Sequence, residues 1–314
     1  MRIKTKIRLQ MFGLVLLKII SLLSLLGVII CAPVGFFRMI VKSADGESEG
    51  TLLIVAIVCL VVSLITGLIF KYSYKKVIVE NVLNQELPGC VWSPNDGFGQ
   101  GVIDSNIRLV ESGNKYKTED LIYGEYNGYH YEQSDVKIEN VIYERTGYGR
   151  HRHTKIRVYK HFQGRMIILD SPIVVKKPVF VFSYTFEHRY SGLYDKLTSD
   201  EIKDKVFGDV FDVKVEKGGS ARNVLDDKMK KALLTTYNKF NNMAVRFEEK
   251  KMYIAINTKE STFDWRWTRG FSFRKEVEAN RKQMDVIKDI IDIISARDEN
   301  KELEVNDFKQ IEEI

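Results

Sequence analysis

The sequence predicts an α+β protein: two N-terminal transmembrane helices followed by a mixed, mainly antiparallel strand and helix domain in the cytoplasm. Three observations support this class. Two uncharged apolar runs lie near the N-terminus, short strand-like segments recur between turn residues, and helical periodicity appears among them without regular β-α alternation. Of 314 residues, 45% are hydrophobic and 29% are charged, which excludes a disordered chain and a wholly membrane-embedded one.

The two apolar runs are long enough to cross a bilayer. Residues 19–37 and 51–70 contain 19 and 20 residues without a charge, and each spans about 30 Å as a helix. A cleaved signal peptide is the alternative for the first run, but that run is too long and no small-x-small cleavage site follows it. A lipoprotein would use Cys31, yet Ile30 stands where a small residue is expected. The chain has three cysteines, Cys31, Cys59 and Cys90, which are too few for a disulfide scaffold.

The distribution of Lys and Arg predicts the topology of the anchor. Eight of these residues flank the two runs at residues 1–18 and 71–76, and two lie in the connecting segment 38–50. The positive-inside rule then places both termini in the cytoplasm of a two-helix, multi-pass cell-membrane protein. Residues 1–70 carry +4 of the net charge of +6, so the pI of 8.9 reflects the anchor and nucleic acid is not an expected partner.

Beyond the anchor, we expect a juxtamembrane helix and linker over residues 71–89, ended by Pro88 and Gly89, and then the α+β domain over residues 90–274. Asn127 and Gly128 predict a tight turn between two strands, and a glycine-rich link at 147–149 predicts a second hairpin. Further strands are expected at 165–169, 179–186 and 211–216, and a last hairpin at 244–248 and 252–257. Helices are expected at 198–207, 224–240 and 276–297, the last of them in a C-terminal region, 275–314, that ends in an acidic tail.

Several short motifs resemble one bacterial family. They are residues 116–124 (YKTEDLIYG), 161–165 (HFQGR), 207–213 (FGDVFDV), the pair Ala221-Arg222, and 251–256 (KMYIAI). The order of these motifs behind two membrane helices resembles the family called domain of unknown function 3137, over roughly residues 72–265. The resemblance implies a bacterial membrane protein, sometimes accompanied by LemA-type membrane proteins, and implies no activity or catalytic residues.

The most basic segment of the domain is a candidate surface for a polyanion or for lipid. Residues 144–165 contain seven Lys or Arg and one acid, and the candidate contacts are Arg150, Arg152, Lys155 and Arg157. Near anionic lipid each base contributes about 1 kcal/mol. A solvated hairpin tip is the competing interpretation. His151 and His153 share one face of an extended strand, but no third ligand accompanies them, so no metal site is predicted.

An aromatic and basic segment, residues 264–273, is a candidate partner surface. In a strand, Trp265, Trp267 and Arg269 share one face, and Trp and Arg are enriched at interaction hot spots. The alternative is an aromatic face that covers the core of the domain itself.

The last helix has apolar residues at heptad-like spacing. Val277, Met284, Ile287, Ile291 and Ile294 follow spacings of 7, 3, 4 and 3. This pattern is consistent with packing against the helix's own domain, and homo-oligomerisation through the helix is the alternative.

No catalytic, cofactor-binding or metal motif is present in the sequence. Gly97, Gly99 and Gly101 lack the spacing of a dinucleotide site, and no phosphate-binding Gly-Lys-Ser/Thr loop or Gly-x-Ser-x-Gly occurs. We therefore expect a membrane-anchored cytoplasmic interaction or scaffold protein with no cofactor. An enzyme of unrecognised type acting near the membrane and an anionic-lipid sensor are the alternatives.

Overall fold

The computed structural model describes residues 2–44, 51–146, 153–189, 191–200, 202–261, 263–264 and 273–312. The chain divides into two compact units, which are described separately. The first contains residues 1–82 and 263–280, and the second contains residues 83–262 and 281–314.

Two long helices dominate the first unit. Helix α1 spans Arg2–Ala44 and α2 spans Thr51–Glu86, and both are long and apolar enough to cross a membrane. Their apolar side chains are largely exposed in the described residues, unlike those of a soluble core helix. Exposure and length together support a membrane anchor.

Small residues line the contact between α1 and α2. Ser63 Oγ donates to the Ser21 carbonyl at 3.1 Å, and a Cβ added at Gly27 would lie 3.1 Å from Cys59 Sγ. At the far end of the hairpin, a Cβ at Gly35 would lie 3.1 Å from the backbone nitrogen of Leu53. Helices α1 and α2 are therefore antiparallel, and the small residues along their contact permit the two backbones to approach closely.

Helix α2 continues past the apolar run, as predicted. It ends at Glu86, and Gly89 adopts a positive φ of 84° just after Pro88. Ile78 and Val79 are fully buried, whereas the side chains of the apolar run are mostly exposed. The change in burial along one continuous helix marks where the exposed apolar run ends and packed protein begins.

In the residues that the structure describes, the second unit contains one antiparallel sheet of seven strands. The strands are β1 (Val91–Ser93), β2 (Lys115–Tyr126), β3 (Tyr129–Thr146), β4 (His153–Ser183), β5 (Thr198–Ser199), β6 (Phe211–Val215) and β7 (Met243–Ile256). Their order is β1-β2-β3-β4-β6-β5, and β7 pairs with β4. This arrangement confirms the α+β, mainly antiparallel prediction.

Two glycines have roles that only glycine can fill. Asn127 and Gly128, both at positive φ, form the two-residue turn between β2 and β3, as the sequence predicts. Gly164 lies on β4, where an added Cβ would come within 2.0 Å of the Ile256 carbonyl oxygen on β7. The close approach of β4 and β7 therefore requires glycine at this position.

Two expected pairs of strands are each a single strand. The segment 165–169 and residues 179–183 of the expected segment 179–186 belong to β4, which has 31 residues and ends at Ser183. The expected hairpin at 244–248 and 252–257 is the single strand β7. Register shifts between Asp170 and Val179, and a positive φ at Glu249, absorb the irregularity. The charged segments in the middle of β4 and β7 resemble turns in the sequence. They form bulges instead, because β4 and β7 pair with each other on both sides of these segments.

The helix expected at 198–207 is confirmed only at its C-terminal end. Residues 198–199 form β5 beside β6, and only Lys205–Gly208 is helical, as α4. Asp204 caps α4 by accepting a hydrogen bond from the Phe207 amide at 3.1 Å. The single turn Ser191–Tyr194 (α3) and a π-helical turn at Val102–Ile107 were not predicted.

Two longer helices complete the fold. Helix α5 spans Asp227–Phe240 with Asp226 as its N-cap, and α6 spans Phe273–Glu312, well beyond the expected end at residue 297. Aromatic and aliphatic side chains form a core cluster in the second unit. It includes Ile107, Phe162, Phe180, Phe182 and Phe186.

Candidate functional site

The hairpin formed by β3 and β4 extends beyond the packed part of the sheet. We call residues 140–146 and 153–160 the arm. Residues 153–160 are all exposed, and the apolar side chains of Tyr143, Ile156 and Val158 are 67%, 59% and 54% exposed. Tyr143 lies opposite Ile156, and Val141 lies opposite Val158, so these four share one face. Exposed apolar residues clustered on one face mark an interaction surface.

The arm carries two of the four predicted basic contacts. Lys155 and Arg157 are exposed and lie on the other face of the arm, which also carries the exposed side chains of Ile142 and Tyr159. Arg157 Nε lies 3.0 Å from Glu144 Oε2 across the strand pair. Arg150 and Arg152, the other two predicted contacts, lie outside the described residues.

The arm also has open strand edges in the described part of the chain. Strand β2 pairs with β3 only as far as Glu139, and β7 pairs with β4 only from Arg165 onward. Past these points the two arm strands pair with each other. The outer edge of the β3 arm strand is contacted at Val141, whose backbone N–H and C=O both hydrogen-bond the Asn114 side chain at 2.8 Å. Unpaired edges are templates for an added strand.

The predicted aromatic surface cannot be located. Trp265, Trp267 and Arg269 lie in segment 265–272, outside the described residues, so their role stays a prediction.

The apolar face of α6 is occupied by its own unit. Met284, Ile287, Ile291 and Ile294 are at most 1% exposed. The Gln133 amide nitrogen lies 3.5 Å from Met284 Sδ, and Lys288 and Arg281 both pair with Glu86 at 2.5 Å. The packing alternative therefore accounts for these four positions of the heptad-like pattern.

A group of buried charges surrounds Arg165 and was missed by the sequence reasoning. Arg165 is 2% exposed and lies directly opposite Asp135 on β3, and Asp120 in a bulge of β2 is 1% exposed. Burial lowers the pKa of Arg165 to about 10, while the carboxylates of Asp135 and Asp120 oppose that shift. Ser261 Oγ donates to Glu119 Oε1 at 3.0 Å and lies 3.3 Å from Asp135 Oδ2. Asp135 and Asp120 thus supply the counter-charge of the buried guanidinium, as in a structural ion cluster.

Cys90 is a poor candidate for a nucleophile. Burial raises the pKa of its thiol, although a hydrogen bond with Tyr131 acts in the opposite direction. A thiol with a raised pKa stays protonated at neutral pH, and the thiolate is the reactive form.

Two histidines and a glutamate converge beside the base of the arm. The ligand atoms of Glu111, His161 and His188 all lie within 4.8 Å of one another. His161 is on β4, immediately after the arm, and is buried, whereas His188 is exposed. These are the described residues that could hold a metal ion. No sequence motif indicates this cluster, because its consecutive members lie 50 and 27 positions apart in the chain.

The fold and the arm define an α+β domain carried behind two long apolar helices. The model of the family described as protein of unknown function (DUF3137) matches residues 154–295, which run from the arm to α6. The match confirms the family resemblance predicted from the motifs. It begins later than the expected residue 72 and includes much of α6, which the expected range left out.

No curated protein matches this chain. Among solved structures, the crystal structure of the mycobacterial trehalose monomycolate transport factor A, TtfA, is similar over 70% of this chain and 96% of that chain. The sequence identity is 9% and the TM-score is 0.36, so the likeness carries no argument about fold or function.

Proposed function

We propose that this protein is a membrane-anchored interaction protein that binds a partner protein through the arm. The observation that carries the proposal is the exposure of the apolar face of the arm, with Tyr143 and Ile156 at its centre. Full burial of a large apolar side chain is favourable by about 1.5–3 kcal/mol of free energy relative to exposure in water, and a partner that covers these side chains would provide such burial. The predicted topology places this domain, with both termini, in the cytoplasm.

Two features favour a protein as the partner. The open edges of the arm offer backbone donors and acceptors that a partner's strand can pair with, which a lipid surface cannot do in register. Lys155 and Arg157 favour an acidic surface on that partner. A LemA-type membrane protein, implied by the family resemblance, is one candidate of this kind.

The test is a crosslinking pull-down of the full-length protein from its native membrane, analysed by mass spectrometry. The variant Tyr143→Ser/Ile156→Ser removes the apolar contact, and Tyr184→Ser/Val174→Ser is the matched control, because these side chains are 60% and 63% exposed away from the arm. We expect the arm variant to capture at least about tenfold less of a reproducible partner, since hot-spot side chains contribute about 2 kcal/mol or more each. The control should capture as much as the unmodified protein.

Equal capture by both variants would overturn the proposal. A different result would favour the anionic-lipid alternative instead. In that case no protein partner is captured, and the protein binds anionic vesicles but loses this binding when Arg150, Arg152, Lys155 and Arg157 are replaced by Ser. Thermal unfolding of each variant verifies that the domain is intact before capture is compared.

A further inference from the structure

We propose that Glu111, His161 and His188 form a binding site for a divalent transition metal ion such as Zn²⁺. The three residues come from three separate segments of the second unit. His188 Nδ1 lies 3.8 Å from Glu111 Oε2, and the two imidazole rings stack with centroids 4.9 Å apart. Two imidazoles and a carboxylate are a ligand set that zinc accepts, with a fourth position left for water or a substrate.

The backbone holds the two outer ligands side by side. The Glu111 amide donates to the His188 carbonyl at 2.8 Å, and Val110 and Arg189 form an isolated antiparallel bridge next to them. The backbones of Glu111 and His188 are therefore held next to each other. The separation of their ligand atoms can change by rotation of the side chains alone.

The hydrogen bond of His161 prepares its ring to be a ligand. Nδ1 lies 3.3 Å from the Glu111 carbonyl oxygen. A carbonyl cannot donate, so Nδ1 carries the proton, and the neutral ring then has an unprotonated Nε2 that can accept a metal. A backbone carbonyl that orients a histidine in this way is the usual outer contact of a metal-bound imidazole.

The geometry is within reach of coordination. At a metal–ligand distance of about 2.0–2.1 Å, tetrahedral ligand atoms lie about 3.4 Å apart. The observed separations of up to 4.8 Å thus need to close by about 1.4 Å, which rotation of the partly exposed Glu111 and exposed His188 side chains can supply. Nitrogen donors favour Zn²⁺ over Mg²⁺ and Ca²⁺, which prefer oxygen ligands.

His188 offers a variant that spares the backbone. Its φ of 54° lies in the left-handed region, where asparagine is well tolerated, so His188→Asn removes the ligand without adding strain. Glu111→Gln is the second variant, because it keeps the side-chain shape and removes the charge. His153→Asn is the matched control, since His153 is exposed on the arm and lies outside the cluster.

The experiment is a titration of the purified full-length protein with Zn²⁺ in competition with a chromophoric chelator, repeated with Mg²⁺. We expect one Zn²⁺ per chain, with affinity lowered about tenfold or more in His188→Asn and Glu111→Gln and unchanged in His153→Asn. Zn²⁺ binding of equal strength in all four proteins would overturn the proposal, as would its loss in His153→Asn alone. Equally tight binding of Mg²⁺ would also overturn it, because oxygen ligands would then dominate the site.

Discussion

At the scale of single residues, Arg165 differs most from its sequence-based interpretation. Arg165 is one of the seven basic residues of segment 144–165, on which the prediction of a basic surface depends. Its side chain is nevertheless buried opposite Asp135. Composition cannot separate a solvated base from a buried one, because burial depends on which strands become neighbours. The basic surface of the arm is accordingly smaller than the count indicates.

Removing this guanidinium is expected to be costly. We predict that Arg165→Ala lowers the free energy of unfolding by about 3–5 kcal/mol, because Asp135 and Asp120 would be left buried without their counter-charge. Arg157→Ala is the control: its ion pair with Glu144 is exposed, and its loss is expected to change the free energy by less than about 1 kcal/mol. Thermal or urea unfolding measures both, and similar losses for the two variants would contradict the structural role of Arg165.

At the scale of elements, local patterns predicted the features that depend on neighbouring residues and failed where distant strands pair. The Asn127-Gly128 turn, the strand Phe211–Val215 and the continuation of α2 past residue 70 are fixed by nearby residues, and all three are confirmed. Strands β4 and β7 were divided because their charged middle segments resemble turns. Long-range pairing between them overrides that local preference, and a single sequence does not reveal it.

The helical hairpin of α1 and α2 depends on close backbone approach. We predict that Gly35→Leu separates the two helices, because any side chain there meets the backbone of Leu53. The measurement is oxidative crosslinking between native Cys59 and a cysteine introduced at Gly27, which is expected to fall by more than about half. Gly13→Leu serves as the control, since nothing lies within 4 Å of an added Cβ there. An undiminished crosslink in Gly35→Leu would contradict the packing.

At the scale of the whole molecule, the charge asymmetry of the flanking segments predicts the topology. The chain after residue 70 contains 41 Lys and Arg residues, and all of them except Lys177, which precedes Pro178, are sites for trypsin. We expect trypsin to degrade this part in inverted membrane vesicles and to spare it in right-side-out vesicles. Both preparations should be cleaved once detergent opens them, and cleavage in intact right-side-out vesicles would contradict the predicted orientation.

The candidate sites differ in how far sequence alone could lead. The pairing of β3 with β4 was predicted because the two strands are contiguous in the chain, whereas the exposed apolar face with Tyr143 and Ile156 was not predicted. The convergence of Glu111, His161 and His188 was not, because it depends on the packing of two connecting segments against β4. Neither histidine lies in a recognisable metal-binding motif, and only three-dimensional proximity joins them.

The long strand β4 also has a consequence for the order in which the protein folds. Its partner β3 is joined to it directly, whereas the residues of β7 that pair with it lie about 60 to 90 positions further along the chain. Contacts this distant in sequence form slowly, so the β2–β3–β4 meander is expected to assemble during synthesis and β7 to dock late. Until then one edge of β4 stays open to other nascent chains. Termination of translation before residue 256 is therefore expected to yield aggregates rather than a smaller stable domain.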